Sequence, residues 1–126
     1  VNPGLTKSYL TTAAVARRRI VVFSADNKVA QAAAATADLI GISDMSADVA
    51  SGAAADIRRT GIAELDLAGA IARGKPVTAD ADGKGVLCTP AAGTSASYIG
   101  FLEAVTGANG VIGDVFICPG RLTTPV

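Results

Sequence analysis

The sequence predicts an all-β protein: a small, closed or nearly closed β-barrel made of two tandem repeats of about 55 residues, preceded by an extended N-terminal arm. Two observations support this prediction. Short runs rich in Val, Ile and Phe are separated roughly every 8–12 residues by turn-forming residues, a spacing typical of small barrels and sandwiches. Four segments also recur in the same order later in the chain, which indicates an internal duplication. At 126 residues the chain is long enough to bury a core as one domain.

The recurring segments are separated by offsets of 56 to 59 residues. In chain order, the matches are 14–17 with 70–73, 25–28 with 81–84, 39–42 with 98–101 and 55–57 with 113–115. The predicted boundaries are an arm over residues 1–12, a first repeat over 13–61, a second repeat over 62–120 and a C-terminal tail over 121–126. Because this arm lies outside both repeats, a chain that lacks residues 1–10 is expected to fold.

Each repeat is predicted to open with a β-hairpin. In the first repeat the β-rich run 20–23 is followed by Asp26 and Asn27. In the second repeat Asp82 and Gly83 occupy the corresponding place. Asn and Gly readily adopt the positive φ angles that a two-residue hairpin turn requires. The turn is therefore the feature that both repeats preserve.

Later segments of the two repeats also correspond. Gly41 and Gly100 each stand at the centre of an apolar run, where a glycine usually marks a bulge or a close approach of two backbones. The Ala-rich residues 32–38 allow a helix, but one too short to be stable alone.

Between the repeats, residues 61–67 alternate between apolar and polar side chains. Ala63, Leu65 and Leu67 fall on one face, so this segment is predicted to be a half-buried strand.

Two segments come close to known ligand-binding loops. Residues 69–76 follow the phosphate-binding pattern until Pro76, which stands where that loop needs a hydroxyl group. Residues 80–84 resemble the start of a calcium loop, but Lys84 stands where an oxygen ligand is required. Both segments are interpreted as turns. The chain also has no histidine, so the sequence predicts no enzyme activity, no cofactor and no metal site.

The composition bears on partners and on location. The formal net charge is zero, which provides no long-range attraction to nucleic acid or to a membrane. We found no signal peptide in the sequence and no apolar run of the roughly 18 residues that span a bilayer. A soluble protein made in a reducing cytoplasm is therefore expected. Cys88 and Cys118 are expected to be buried small apolar residues rather than a disulfide.

The candidate contact residues are the basic clusters and the more prominent side chains of the arm. In chain order they are Leu5, Lys7, Tyr9, Leu10, Arg17, Arg18, Arg19, Arg58 and Arg59. Neighbouring arginines on a strand point to opposite faces, so neither run forms a one-sided basic stripe by itself. Solvated surface, a protein interface and a nucleic-acid contact remain open for these arginines. Arginine is favoured at protein interfaces, while nucleic-acid binding also needs aromatic residues between the basic ones.

The second repeat carries three motifs that resemble a known family. They are GIAELDLAGAIARGKPVTADADGK (61–84), YIGFLEA (98–104) and GDVFICPG (113–120). This series is similar to the glycine-introduced hairpin, the I-G-x-A-x-E strand and the closing G-D-x-V-x-V strand of capsid cement or head-decoration proteins of tailed bacteriophages. The resemblance covers about half of the chain strongly and the first repeat more loosely.

This resemblance implies a small β-barrel or β-tulip-like fold. It also implies a structural virion protein that binds the outer surface of the phage head and stabilises the shell. Its implied partners are the major capsid protein and further copies of itself in a homotrimer. Its implied location is the virion surface, after synthesis in the bacterial host cytoplasm. The alternative is a phage surface module that recognises saccharide or a host protein. Sugar sites usually present aromatic rings, and the few aromatic residues here are expected to lie mostly in strand cores.

Overall fold

Residues 5–34, 38–45, 47–103, 106–107 and 110–123 are described by a computed structural model of the chain. Within these ranges every regular element is a β-strand, which confirms the predicted all-β class. The first half contains β1 (Thr6–Thr11), β2 (Ile20–Ala25), β3 (Lys28–Gln31), β4 (Leu39–Ser43) and β5 (Ala54–Arg58). The second half contains β6 (Gly61–Asp66), β7 (Ile71–Ala72), β8 (Pro76–Ala79), β9 (Gly85–Leu87), β10 (Ser95–Leu102), β11 (Thr106–Gly107) and β12 (Ile112–Thr123).

The first half is a closed five-stranded barrel in the order β1-β3-β2-β4-β5. Most neighbours are antiparallel, but β1 and β3 run parallel and complete the ring on one side. Alternate residues of each strand point inward, and the inward residues fill the interior. These buried side chains are Tyr9, Val15, Val21, Val29, Ile40, Ala55 and Ile57. Complete burial of each large aliphatic side chain contributes about 1.5–3 kcal/mol, so the barrel has a core of its own.

The second half is a five-stranded antiparallel sheet in the order β6-β12-β10-β8-β9, with β7 and β11 as a separate pair. An isolated parallel bridge between Leu67 and Gly85 connects the two outer strands of this sheet. One face of this sheet packs on the outside of the barrel. Ile20 and Ile42 of the barrel lie in the same core cluster as Leu65, Ile99 and Val115 of the sheet. The predicted barrel is therefore confirmed for the first half, whereas the second half completes its core against the first.

The expected N-terminal arm needs correction. Residues 1–4 lie outside the described ranges, but residues 6–11 form β1. This strand pairs with β5 from Thr6↔Arg58 to Leu10↔Ala54 and with β3 at Leu10↔Lys28. Its removal would leave two strand edges unpaired and expose the barrel core. In contrast to the expectation from the sequence, this pairing predicts that a chain without residues 1–10 does not form the barrel.

The two halves share one hydrogen-bonding pattern. Backbone bonds of the first half recur in the second at the offsets found in the sequence, and they relate β1, β2, β3, β4 and β5 to β6, β8, β9, β10 and β12. Four such pairs are Thr11 N–Ala53 O with Leu67 N–Val111 O, Thr12 N–Val29 O with Ala68 N–Gly85 O, Arg18 N–Ser43 O with Gly74 N–Leu102 O, and Ala32 N–Ile20 O with Cys88 N–Pro76 O. β1 is therefore the counterpart of β6.

Both predicted hairpins are confirmed. β2 and β3 are joined by the two residues Asp26 and Asn27, and Asn27 has a φ of 56°. β8 and β9 are joined by the longer loop 80–84, in which Gly83 has a φ of 75°. The Asp80 carboxylate accepts hydrogen bonds from two backbone N–H groups of this loop, which gives the acidic residue a structural role.

Other strand predictions are also confirmed. Gly41 and Gly100 are sites of close backbone approach: a Cβ atom would lie 2.5 Å from the Arg58 carbonyl oxygen at Gly41 and 1.9 Å from the Phe116 carbonyl oxygen at Gly100. In the segment 61–67 the three predicted apolar residues are buried.

Two expectations have a different outcome. Cys88 is buried as expected, but Cys118 is exposed because it lies on the outer face of β12, away from the barrel. Residues 35–37 of the Ala-rich segment lie outside the described ranges, and residues 32–34 and 38 are not helical.

Candidate interaction surface

Four side chains of the barrel form a connected group, named here the aromatic–basic cluster: Lys7, Tyr9, Phe23 and Arg59. Nη1 of Arg59 donates a hydrogen bond to the Tyr9 hydroxyl (2.8 Å), and its Nε donates to the Ile40 carbonyl (2.9 Å). The Arg59 guanidinium carbon lies 5.5 Å from the centre of the Phe23 ring, and the Lys7 ammonium lies 5.1 Å from that of Tyr9. The two rings meet edge to face, with centres 5.6 Å apart.

The strands position this cluster before any partner binds. Tyr9 is 6% exposed and belongs to the barrel core, whereas Phe23 is 49% exposed although it follows the inward-facing Val21 by two residues. An exposed cation–π contact contributes about 0.5–1 kcal/mol, and an aromatic pair about 0.5–1.5 kcal/mol beyond its buried area. Tyr and Arg held in fixed positions are typical of binding hot spots, since little side-chain entropy is lost on association.

Two candidate leucines lie on or beside β1. Leu5 is exposed, and its carbonyl accepts a hydrogen bond from the Arg59 N–H (2.7 Å), while its own N–H donates to the Thr60 hydroxyl (2.8 Å). Leu5 therefore extends the surface next to the aromatic–basic cluster. Leu10 is 50% exposed but follows the buried Tyr9 directly, so its side chain lies on the opposite face of the strand.

Arg18 and Arg19 lie at the junction between the two halves. Nε of Arg18 is 2.9 Å from one Asp66 carboxylate oxygen, and Nε of Arg19 is 3.4 Å from the other. These pairs are partly exposed, so each contributes about 0.2–1 kcal/mol. Arg18 has a φ of 56° where its counterpart Gly74 has 81°. Through their ion pairs with Asp66, both arginines connect the barrel to β6 within the chain.

The remaining arginines are placed separately. Arg58 donates two hydrogen bonds from its guanidinium group to one Asp44 oxygen, at 3.1 and 2.8 Å. The backbone N–H of the exposed Arg17 donates to the Asp48 carboxylate (2.9 Å). Of the nine candidate residues, the structure thus brings together Leu5, Lys7, Tyr9 and Arg59.

Sequence reasoning missed two exposed aromatic residues. The aromatic residues were expected to lie mostly in strand cores, but Phe23 and Phe116 are 49% and 45% exposed. Phe116 lies on the outer face of the second sheet, between Ile62 on β6 and Phe101 on β10. The position of Phe23 beside a hairpin turn was the available signal, because the ends of strands extend beyond the core they cover.

The described residues contain little reactive chemistry. No group of three acidic or cysteine residues among them is placed to hold a metal ion. Burial raises the pKa of the Cys88 thiol above its usual value, which disfavours the reactive thiolate. A groove lined by Asp38, Leu39, Ser97, Pro119, Gly120 and Arg121 carries one weak ion pair, between Asp38 and Arg121 at 3.3 Å. In the described ranges we also find no helix with the length and apolarity to span a membrane.

Comparisons with known proteins place this arrangement in context. Residues 1–117 match the phage cement protein family. The fold is similar to that of the N base of head fiber gp8.5 in bacteriophage phi29, with a TM-score of 0.66 and 16% sequence identity. That alignment covers 90% of this chain and 93% of the phi29 chain. No curated protein sequence matches the chain.

Proposed function

The chain belongs to the phage cement protein family, a structural and non-enzymatic family of the virion capsid surface, and we propose that it attaches to the shell through the aromatic–basic cluster and Leu5. The family match over residues 1–117 is the observation that supports the function, which is decoration and stabilisation of the phage head. The proposed attachment site is supported by the fixed geometry of Tyr9 and Arg59 and by the exposed ring of Phe23.

Stabilisation of the shell follows from mass action. A protein that binds the assembled shell and not the separated subunits lowers the free energy of the assembled state. At a free concentration of one hundred times Kd, each occupied site contributes about 2.7 kcal/mol. Many weakly charged, unreactive copies therefore reinforce a shell without any chemical step.

The proposed role is tested on phage heads prepared with and without this protein. Heads that carry it should survive a higher temperature and a stronger osmotic shock than heads that lack it. Release of packaged DNA reports on survival. Equal survival of the two preparations would refute the stabilising role, whereas failure of the purified protein to bind bare heads would refute attachment itself.

We further propose the major capsid protein as the direct partner and a homotrimer as the assembly of this chain. The outer face of the second sheet supports self-association, because Ile62, Phe116 and Phe101 lie side by side on three neighbouring strands. An exposed row of apolar residues of this kind commonly marks a protein interface. Light scattering should report three times the chain mass, and Phe116→Ser should reduce it. A monomeric wild-type chain would contradict the trimer.

The matching hydrogen bonds support a tandem duplication as the origin of the chain. We place the two units at residues 6–58 and 62–116, because these ranges contain the corresponding strand pairs. The first unit then starts with β1 instead of at residue 13. The first unit is a closed barrel, and the second is a five-stranded sheet whose outer strands meet only at the bridge between Leu67 and Gly85.

A further inference from the structure

The contact between the two halves has an unoccupied counterpart on the surface of the first half. In the internal contact, the carbonyl of Gly83 accepts a hydrogen bond from the Ile20 N–H (2.8 Å). The neighbouring Asp82 carbonyl accepts from the Gln31 amide (2.6 Å) and from Nη1 of Arg19 (3.2 Å). The β8–β9 turn is therefore one part of the second half that binds the barrel, through β2 and β3.

The corresponding turn of the first half is exposed. Asp26 and Asn27 match Asp82 and Gly83 at the offset of 56, and Asn27 shares the positive φ of Gly83. Both residues of this turn are exposed, so a partner can reach it.

The side chains around the two turns differ in a consistent way. In the second half, four positions lie in the core cluster that joins the halves: Ala63, Leu65, Ala79 and Ile117. The residues 56 positions earlier than the first three, and 58 positions earlier than Ile117, are the members of the aromatic–basic cluster, in order Lys7, Tyr9, Phe23 and Arg59. The aromatic–basic cluster thus stands at positions that, in the second half, belong to the core cluster shared with Ile20 and Ile42 of the barrel.

A second copy of this chain does not fit that surface by the same contact. The donors of the internal contact, the Ile20 N–H and the Gln31 amide, are already used within the chain. Their counterparts in the second half are Pro76 and Leu87. Proline has no N–H and leucine has no amide, so neither can donate. A second copy therefore cannot repeat the internal contact at this turn.

We propose that the β2–β3 turn and the aromatic–basic cluster bind an extended, acidic segment of a different polypeptide, in the same way that the β8–β9 turn binds β2. This proposal rests on the proposed attachment to the shell and specifies its chemistry. The segment donates a backbone N–H to the Asn27 carbonyl and places an aliphatic side chain against Phe23. Because Lys7 and Arg59 replace the apolar Ala63 and Ile117, a carboxylate of the segment pairs with these cations.

Matched variants of the full-length chain test this proposal. Phe23→Ala removes the exposed ring, and Leu10→Ala is its control because Leu10 is equally exposed on the opposite face of β1. Lys7→Glu reverses a charge of the cluster, and Lys75→Glu reverses an exposed charge in the second half. Phage heads that lack the protein are titrated with each variant, and bound protein is measured by sedimentation. Circular dichroism establishes that each variant is folded.

The expected result is at least a tenfold weaker affinity for Phe23→Ala and Lys7→Glu, with both controls within twofold of wild type. If Phe23→Ala fails to fold, Lys7→Glu alone decides, since its side chain is outside the core. Equal binding by all four variants overturns the proposed surface but leaves shell attachment intact. Absence of binding by the wild-type chain overturns the attachment on which the surface depends. Loss of self-association by Phe23→Ala, but not by Leu10→Ala, identifies a second copy as the occupant and overturns the proposal.

Discussion

Replacement of Gly100 by alanine should be the most damaging small substitution in the second sheet. A Cβ atom at this position would lie 1.9 Å from the Phe116 carbonyl oxygen and 2.9 Å from its carbonyl carbon. Ordinary contact begins near 3.4 Å, so β10 and β12 would have to separate by about 1.5 Å. A backbone hydrogen bond of about 2.9 Å is lost at such a separation. No side-chain rotation relieves the overlap, because both groups belong to the backbone.

The cost follows from the bonds that this separation breaks. Loss of two or three ladder hydrogen bonds costs about 0.5–1.5 kcal/mol each, and displacement of the neighbouring buried Leu102 adds to this. We expect Gly100→Ala to lower the free energy of unfolding by about 3 kcal/mol or more. Gly41→Ala should cost less, since its Cβ would lie 2.5 Å from the opposing oxygen. Gly69→Ala is the control, with its nearest neighbour at 3.9 Å.

Urea unfolding followed by circular dichroism measures all three variants. The expected order of stability is Gly69→Ala, then Gly41→Ala, then Gly100→Ala, with the control within about 0.5 kcal/mol of wild type. If Gly100→Ala were as stable as Gly69→Ala, the two strands would not approach as closely as described, and the reasoning would fail.

Three further outcomes are expected. Arg18→Ala should lower the free energy of unfolding by about 1 kcal/mol, because it removes the ion pair with Asp66 and still has a side chain at positive φ. Arg18→Gly also loses the ion pair but relieves the backbone strain, so it should remain close to wild type in the same urea assay. Equal losses for the two variants would contradict the backbone argument. In the native protein at pH 8, one thiol, Cys118, should react rapidly with an aromatic disulfide reagent, whereas Cys88 should react only after unfolding. Rapid reaction of two thiols would show that Cys88 is accessible. A chain that lacks residues 1–10 should give no cooperative thermal transition, since it has lost most of β1. A transition like that of the wild-type chain would show that the barrel does not need this strand.

Much of the strand arrangement was predictable from residue types alone. The turns at Asn27 and Gly83 and the central glycines Gly41 and Gly100 are short-range signals, because they reflect the φ angle or the close approach that one residue must allow. The offsets of 56, 58 and 59 between recurring segments are the same offsets that relate the backbone hydrogen bonds. Local chemistry was therefore sufficient to locate most of the duplication.

The first strand was missed because its residues differ between the halves. Residues 6–11 and 62–67 have no identical residue in register. In the second half Ala63 and Leu65 face the core between the halves, so they are small or aliphatic. In the first half Lys7 is exposed to water, and the hydroxyl of the buried Tyr9 accepts a hydrogen bond from Arg59. Equivalent backbone positions thus have apolar side chains in one half and charged or hydrogen-bonded side chains in the other, according to what surrounds them.

The sequence by itself determined the all-β class, the hairpins and most of the repeated order, since turn geometry and side-chain alternation act over a few residues. Only the tertiary structure decided which surface of each half is covered. It pairs Arg18 and Arg19 with Asp66, and it leaves Phe23 beside Arg59 at the surface. These outcomes depend on how one half packs against the other, and that contact joins residues far apart in the chain. The physical reason is that the two halves share one fold but not one environment. The first half covers part of the second, whereas the matching side chains Lys7 and Phe23 of the first half stay exposed.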